Sequence, residues 1–189
     1  MGKHKLRLLY ISIIAILFTF MSQEALIYYT TLGNASNVIT SGEIEMQIVE
    51  KGYGDVEYHQ EGIYVMPGDI VTKRVSIRSL CDHPFYLRVK IIYGINSEEL
   101  SAEDCFKLNI DESIWHYHDG WYYYNGIVEA GQETPNVFSQ VEIVGNKMDV
   151  NYIGKTLQLT VDAQALQSEN NPIPSDGLSA LPGWPSEEA

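Results

Sequence analysis

Residues 156–165, Thr156-Leu157-Gln158-Leu159-Thr160-Val161-Asp162-Ala163-Gln164-Ala165, alternate strictly between polar and apolar side chains. Successive side chains of an extended strand point to opposite faces, so Leu157, Leu159, Val161, Ala163 and Ala165 line one side of it. The same period recurs upstream. Residues 43–49 set Ile44, Met46 and Ile48 against Glu43, Glu45 and Gln47. Residues 70–78 put Val71, Val75 and Ile77 on one face with the stem of Lys73. Residues 85–95 turn Phe85, Leu87, Val89, Ile91 and Tyr93 inward, with Arg88 and Lys90 outward. Residues 63–66 and 137–144 read as further strands. The first of these ends at Pro67-Gly68, and Gly52-Tyr53-Gly54-Asp55 is a turn as well.

Two segments depart from simple alternation. In residues 96–106, Ser97 is placed to cap a short helix carrying Leu100 and leading to Phe106, with charged residues on its other faces. Residues 115–127 form an aromatic hairpin, with Asp119-Gly120 as the turn between two aromatic-rich runs. Short strands with turns between them point to an all-β fold. The expected architecture is a jelly-roll-like β-sandwich with a short helical insertion, spanning residues 43–167.

The flanks read differently. Lys3, Lys5 and Arg7 precede an apolar run at residues 8–21 (LLYISIIAILFTFM). That run is short for a membrane span and suits a secretion signal. A signal peptide is therefore expected over residues 1–27, cut by signal peptidase between Ala25 and Tyr28. The mature chain is then secreted, extracellular or at the cell surface, and not embedded in a membrane. Residues 28–42 form an N-terminal arm with β-prone Tyr28, Tyr29, Thr30, Thr31, Val38, Ile39 and Thr40. At the other end, residues 168–189 hold Pro172, Pro174, Pro182 and Pro185, four of the seven prolines, and no periodicity, which reads as a disordered tail.

The formal net charge is -13, and removal of Lys3, Lys5, Arg7 and Glu24 makes the mature part more acidic still. That acidity argues against nucleic acid and against anionic membranes as partners. The two cysteines, Cys81 and Cys105, are too far apart in sequence for a CxxC site. An exported chain permits a disulfide between them, and two separate buried thiols are the other reading.

Several short segments follow one another in a definite order. The aromatic pair Tyr28-Tyr29 is followed by Thr30 and an Asn/Ser cluster running to Thr40-Ser41-Gly42. Pro67-Gly68-Asp69 with Lys73 and Val75, Tyr86-Leu87-Arg88-Val89-Lys90, and Asp119-Gly120-Trp121-Tyr122-Tyr123-Tyr124 with Gly131 come next, and Gly154-Lys155 and Ala165-Leu166-Gln167 close the set. In this order they resemble the export junction, internal motifs and final strand of the TasA/camelysin family, bacterial surface and biofilm-matrix proteins exported through a dedicated SipW-type signal peptidase. The resemblance implies a secreted β-sandwich that assembles head to tail into fibres by strand exchange, through self-association or with a related matrix protein.

The residues themselves leave other classes in view. Trp115, Tyr122 and Tyr124 are the candidate ligand or interface aromatics. With Trp121 and Tyr123 turned to the core, Tyr122 and Tyr124 would face solvent or a neighbouring subunit, and flat rings stack on sugars. A glycan-binding module is accordingly the alternative function. His116 and His118 share a strand face but lack a third ligand at a diagnostic spacing. Some camelysin relatives are classed as metallopeptidases, yet this chain has no HExxH helix. No metal, cofactor or catalytic constellation is assigned from the sequence, and the expected role is structural rather than enzymatic.

Overall fold

A computed structural model describes residues 28–30, 44–56 and 62–185. The expected signal peptide and most of the expected arm lie outside the described residues. Among the described residues ten strands form two sheets. In chain order they are β1 (Tyr28–Thr30), β2 (Met46–Lys51), β3 (Ile63–Val65), β4 (Ile70–Ser79), β5 (Phe85–Ile95), β6 (Phe106–Leu108), β7 (Trp115–His118), β8 (Trp121–Tyr124), β9 (Phe138–Ile143) and β10 (Thr156–Gln167). One sheet runs β3-β1-β10-β5-β8-β7, and the other β2-β4-β9-β6. All pairings are antiparallel except that of β1 with β10. The protein is an all-β sandwich.

The alternation of β5 and β10 builds its centre. Leu159 lies opposite Tyr93, Val161 opposite Ile91, Ala163 opposite Val89 and Ala165 opposite Leu87. These side chains meet Met46, Val75, Ile77, Phe138 and Ile143 of the second sheet in one buried cluster. Burial of a Leu, Ile or Phe side chain stabilises by about 1.5–3 kcal/mol. A one-residue slip of β10 against β5 would turn Thr160, Asp162 and Gln164 into this cluster, so the pattern fixes the register.

Turn chemistry sets where strands begin. Gly68 has φ 93° after Pro67, and the Asp69 N–H donates to the Met66 carbonyl at 3.0 Å, the geometry of a type II turn. The Met66 N–H donates to the Asp69 carboxylate at 2.7 Å, which ties β3 to β4 across that turn.

Two expectations are corrected here. The insertion after β5 contains a single 3-10 turn, Glu103–Cys105, and then the short strand β6; Ser97 caps no helix, and Ala102 precedes the turn. The tail is packed rather than unstructured over residues 168–185. Ser168 N–H and hydroxyl both donate to the Pro84 carbonyl, Tyr86 donates its hydroxyl to the Asn171 carbonyl, and Leu181 is buried. The tail therefore crosses the outer face of β5, β8 and β10 as a strap.

Candidate functional site

β1 occupies a gap in the larger sheet. It pairs in parallel with β10, Tyr29 opposite Thr156 and Thr30 opposite Leu157. On its other side it pairs antiparallel with β3, Tyr28 opposite Val65, Tyr29 opposite Tyr64 and Thr30 opposite Ile63. Among the described residues β3 has no other strand partner. One edge of β10 pairs with β5 from Leu157 to Gln167. The opposite edge meets β1 only at Thr156 and Leu157, so residues 158–167 have no strand beside them there among the described residues. An open edge presents backbone donors and acceptors that another strand can take. Part of this need is met locally, since the Ala163 N–H donates to the Asp162 carboxylate at 2.9 Å. Of the expected arm, Tyr28, Tyr29 and Thr30 make β1. Thr31, Val38, Ile39 and Thr40 lie outside the described residues.

The aromatic hairpin is the second feature. Asp119 and Gly120 have φ of 48° and 82°, both left-handed, which suits the two-residue hairpin turn that follows the twist of its strands. Trp115 lies opposite Tyr124, His116 opposite Tyr123, Tyr117 opposite Tyr122 and His118 opposite Trp121. The phase of this alternation comes from β5: Val89, a core residue, sits opposite Tyr122, and Arg88 sits opposite Tyr123. Tyr122 and Tyr124 thus belong to the inner side with Trp115. Trp121 and Tyr123 belong to the outer side with Arg88, the reverse of the sequence expectation.

Trp115 is fully buried and donates its indole N–H to the Asn136 carbonyl at 3.0 Å. Its ring packs against Tyr124 at 5.3 Å, so it is a core residue and presents no platform to a ligand. Tyr122 is half-buried and tilts against Tyr117 at 5.0 Å. Together with Tyr93 and Glu103 these two tyrosines line an inner cleft of about 400 Å³. Burial is the main cause that pushes the Tyr93 phenol up to about 12, with smaller contributions from Tyr122, Glu103 and Tyr117.

The outer side carries residues that sequence reasoning left unassigned. Arg88 is buried there under the strap, although its strand face is the outward one. Its guanidinium carbon stands 4.1 Å from the Trp121 ring and 4.8 Å from the Trp184 ring. The sign in the sequence was a tryptophan in a proline-rich tail, where apolar rings have no local reason to occur.

Cys81 and Cys105 are separate free thiols, which resolves the two sequence readings against a disulfide. The Cys81 thiol donates to the His83 carbonyl and the Cys105 thiol to the Ser101 carbonyl, each at 3.3 Å. Burial pushes the Cys105 thiol up. Among the described residues no three His, Cys, Asp or Glu side chains gather where they could hold a metal. No described helix is long and apolar enough to cross a membrane.

No protein-family model, curated protein or solved structure matches this chain.

Proposed function

We propose that the protein is a secreted structural component of a bacterial cell surface or biofilm matrix, which assembles with copies of itself or with a related matrix protein by exchange of its N-terminal strand. The observation that carries this reading is the place of β1. A three-residue strand joins β3 to the rest of the sheet, and beyond it most of one edge of the longest strand has no strand partner among the described residues. A strand supplied by a neighbour would make the same backbone bonds, with alternate side chains setting register. When such a contact is head to tail and does not close, it propagates as a filament. The order of motifs shared with the TasA/camelysin pattern supports the same role.

Electron microscopy of the mature protein tests the reading. Mature chain should form filaments, and a chain lacking residues 28–39 should not. A synthetic peptide of residues 28–42 should bind the truncated chain in equimolar amount. Filaments from the truncated protein, or a mature chain that stays monomeric at high concentration, would rule out strand exchange.

A further inference from the structure

The outer face of the hairpin holds a cation, Arg88, whose hydrogen-bond partners among the described residues are all neutral. Arg88 donates from Nε and Nη2 to the Gln164 side-chain oxygen at 2.9 and 2.6 Å. Its Nη1 donates to the Tyr123 hydroxyl at 3.1 Å, and Nη2 donates again to the Pro185 carbonyl at 2.9 Å. Among the described residues no carboxylate lies within ion-pair distance of it. Buried charges are normally paired with an opposite charge, because neutral dipoles replace water incompletely. Among the described residues Arg88 has no such partner, in a chain of formal net charge -13.

This arginine opens onto a cleft. A cavity of about 640 Å³ lies between the β7–β8 turn and the strap, with Lys90, His118, Asp119 and Trp184 also at its wall. Lys90 Nζ stands 5.6 Å from the Trp121 ring, and Asp162 is its cross-strand neighbour. The volume suits a ligand of one or two sugar rings. The wall offers the Arg88 guanidinium at its base, indole rings at its sides, and at its rim the imidazole and carboxylate of His118 and Asp119, which suit hydroxyl groups. The Pro185 carbonyl is a neutral acceptor carried by the strap rather than by the sheet, and a carboxylate in its place adds an opposite charge to the guanidinium and can accept two parallel N–H bonds.

We infer that the cleft between the β7–β8 turn and the C-terminal strap binds an acidic saccharide, its carboxylate taking the place of the Pro185 carbonyl on Arg88 and its hydroxyls meeting His118 and Asp119. The site is separate from β1, so it stands whether or not strand exchange occurs.

Trigalacturonate is a suitable probe, titrated into the full mature chain by calorimetry and by tryptophan fluorescence, with maltotriose and inorganic sulfate as comparisons. Trigalacturonate should bind about tenfold or more tightly than either, and shift the Trp184 emission. His118→Ala and Arg88→Met should each weaken it about tenfold, and Tyr117→Ala, in the inner cleft, should not. His118→Ala alters an exposed residue and keeps the test valid if Arg88→Met unfolds. Absence of trigalacturonate binding, equal binding of maltotriose, or an unchanged affinity in His118→Ala would overturn the assignment. Equal binding of sulfate would reduce the site to a general anion contact and overturn the saccharide.

Discussion

The Nζ of Lys73 lies 2.9 Å from Oε1 of Glu50, and the lysine side chain is wholly withdrawn from solvent. Both residues continue core-facing rows. Glu50 follows Met46 and Ile48 along β2, and Lys73 precedes Val75 and Ile77 along β4, with Glu50 directly opposite Val75. Burial drives the Lys73 pKa down, opposed by the charge of Glu50 and a hydrogen bond to it. A buried pair of this kind gains Coulomb energy but loses hydration, so it is weak evidence for stability as a pair and strong evidence for dependence of each partner on the other.

Lys73→Met should therefore lower the unfolding free energy by about 3–5 kcal/mol, because it leaves the Glu50 carboxylate buried without its cation. Adding Glu50→Leu should recover most of that loss. Urea unfolding of the single and double variants measures the difference. A single variant within the error of the parent would show that solvent reaches Glu50 freely.

The thiols should differ in reactivity. Under native conditions iodoacetamide should modify Cys81, which is partly exposed, and spare Cys105, which is fully buried and has its thiol pKa raised by burial. Denaturation should release the second site. Mass mapping of the native protein checks this, and a peptide joining Cys81 to Cys105 would contradict the structure.

How far these features could be read from the sequence depends on what sets each one. β5 matches its expected residues 85–95 because an unbroken alternation needs no partner to be recognised. β10 extends two residues past Ala165, to Gln167, through pairing of Leu166 with Tyr86 and Gln167 with Phe85, a tertiary effect. β6 escaped because three residues, Phe106–Leu108, are too few to show a period. In the hairpin the period was legible and the phase was not. Tyrosine suits either face, and only the register of Arg88 with Tyr123 decides which aromatics turn inward. The strap was hidden for a related reason: Trp184 docks on a surface assembled from Arg88, Tyr123 and Gln164, which are distant in sequence.

Alkaline pH should destabilise the fold. Tyr93 is raised to about 12, and Tyr122 and Tyr152 are raised as well, each chiefly by burial. Between about pH 10 and 12 the folded chain thus holds phenolic protons that the unfolded chain has released, and stability falls as pH rises. Lys73 acts in the other direction. Its folded pKa is depressed, so its contribution improves as pH climbs towards the ordinary lysine value of about 10.5. Three tyrosines oppose one lysine, and the net expectation is a lower Tm at about pH 11 than at about pH 9. Tyr93→Phe should reduce that drop. A Tm that rises over this interval would mean the lysine dominates.

The strap should detach through Trp184. Its indole N–H donates to the Leu178 carbonyl at 3.0 Å, its ring meets the Tyr123 ring edge-on at 5.6 Å, and it covers the Arg88 guanidinium. The aromatic contact and the cation contact are each worth about 0.5–2 kcal/mol. Those are modest amounts against the whole fold but large for a segment held mainly by Leu181, Tyr86 and a few backbone bonds. Trp184→Ala should speed proteolysis within residues 168–185 about tenfold, while β1 to β10 keep their protection and the main unfolding transition moves little. Trp184→Phe should lie between, because it keeps a ring over Arg88 but loses the bond to Leu178. Limited proteolysis with mass detection separates the two variants. Equal cleavage of parent and Trp184→Ala would show that Leu181 alone anchors the strap, and a collapse of the main transition would show that the strap belongs to the same cooperative unit as the sandwich.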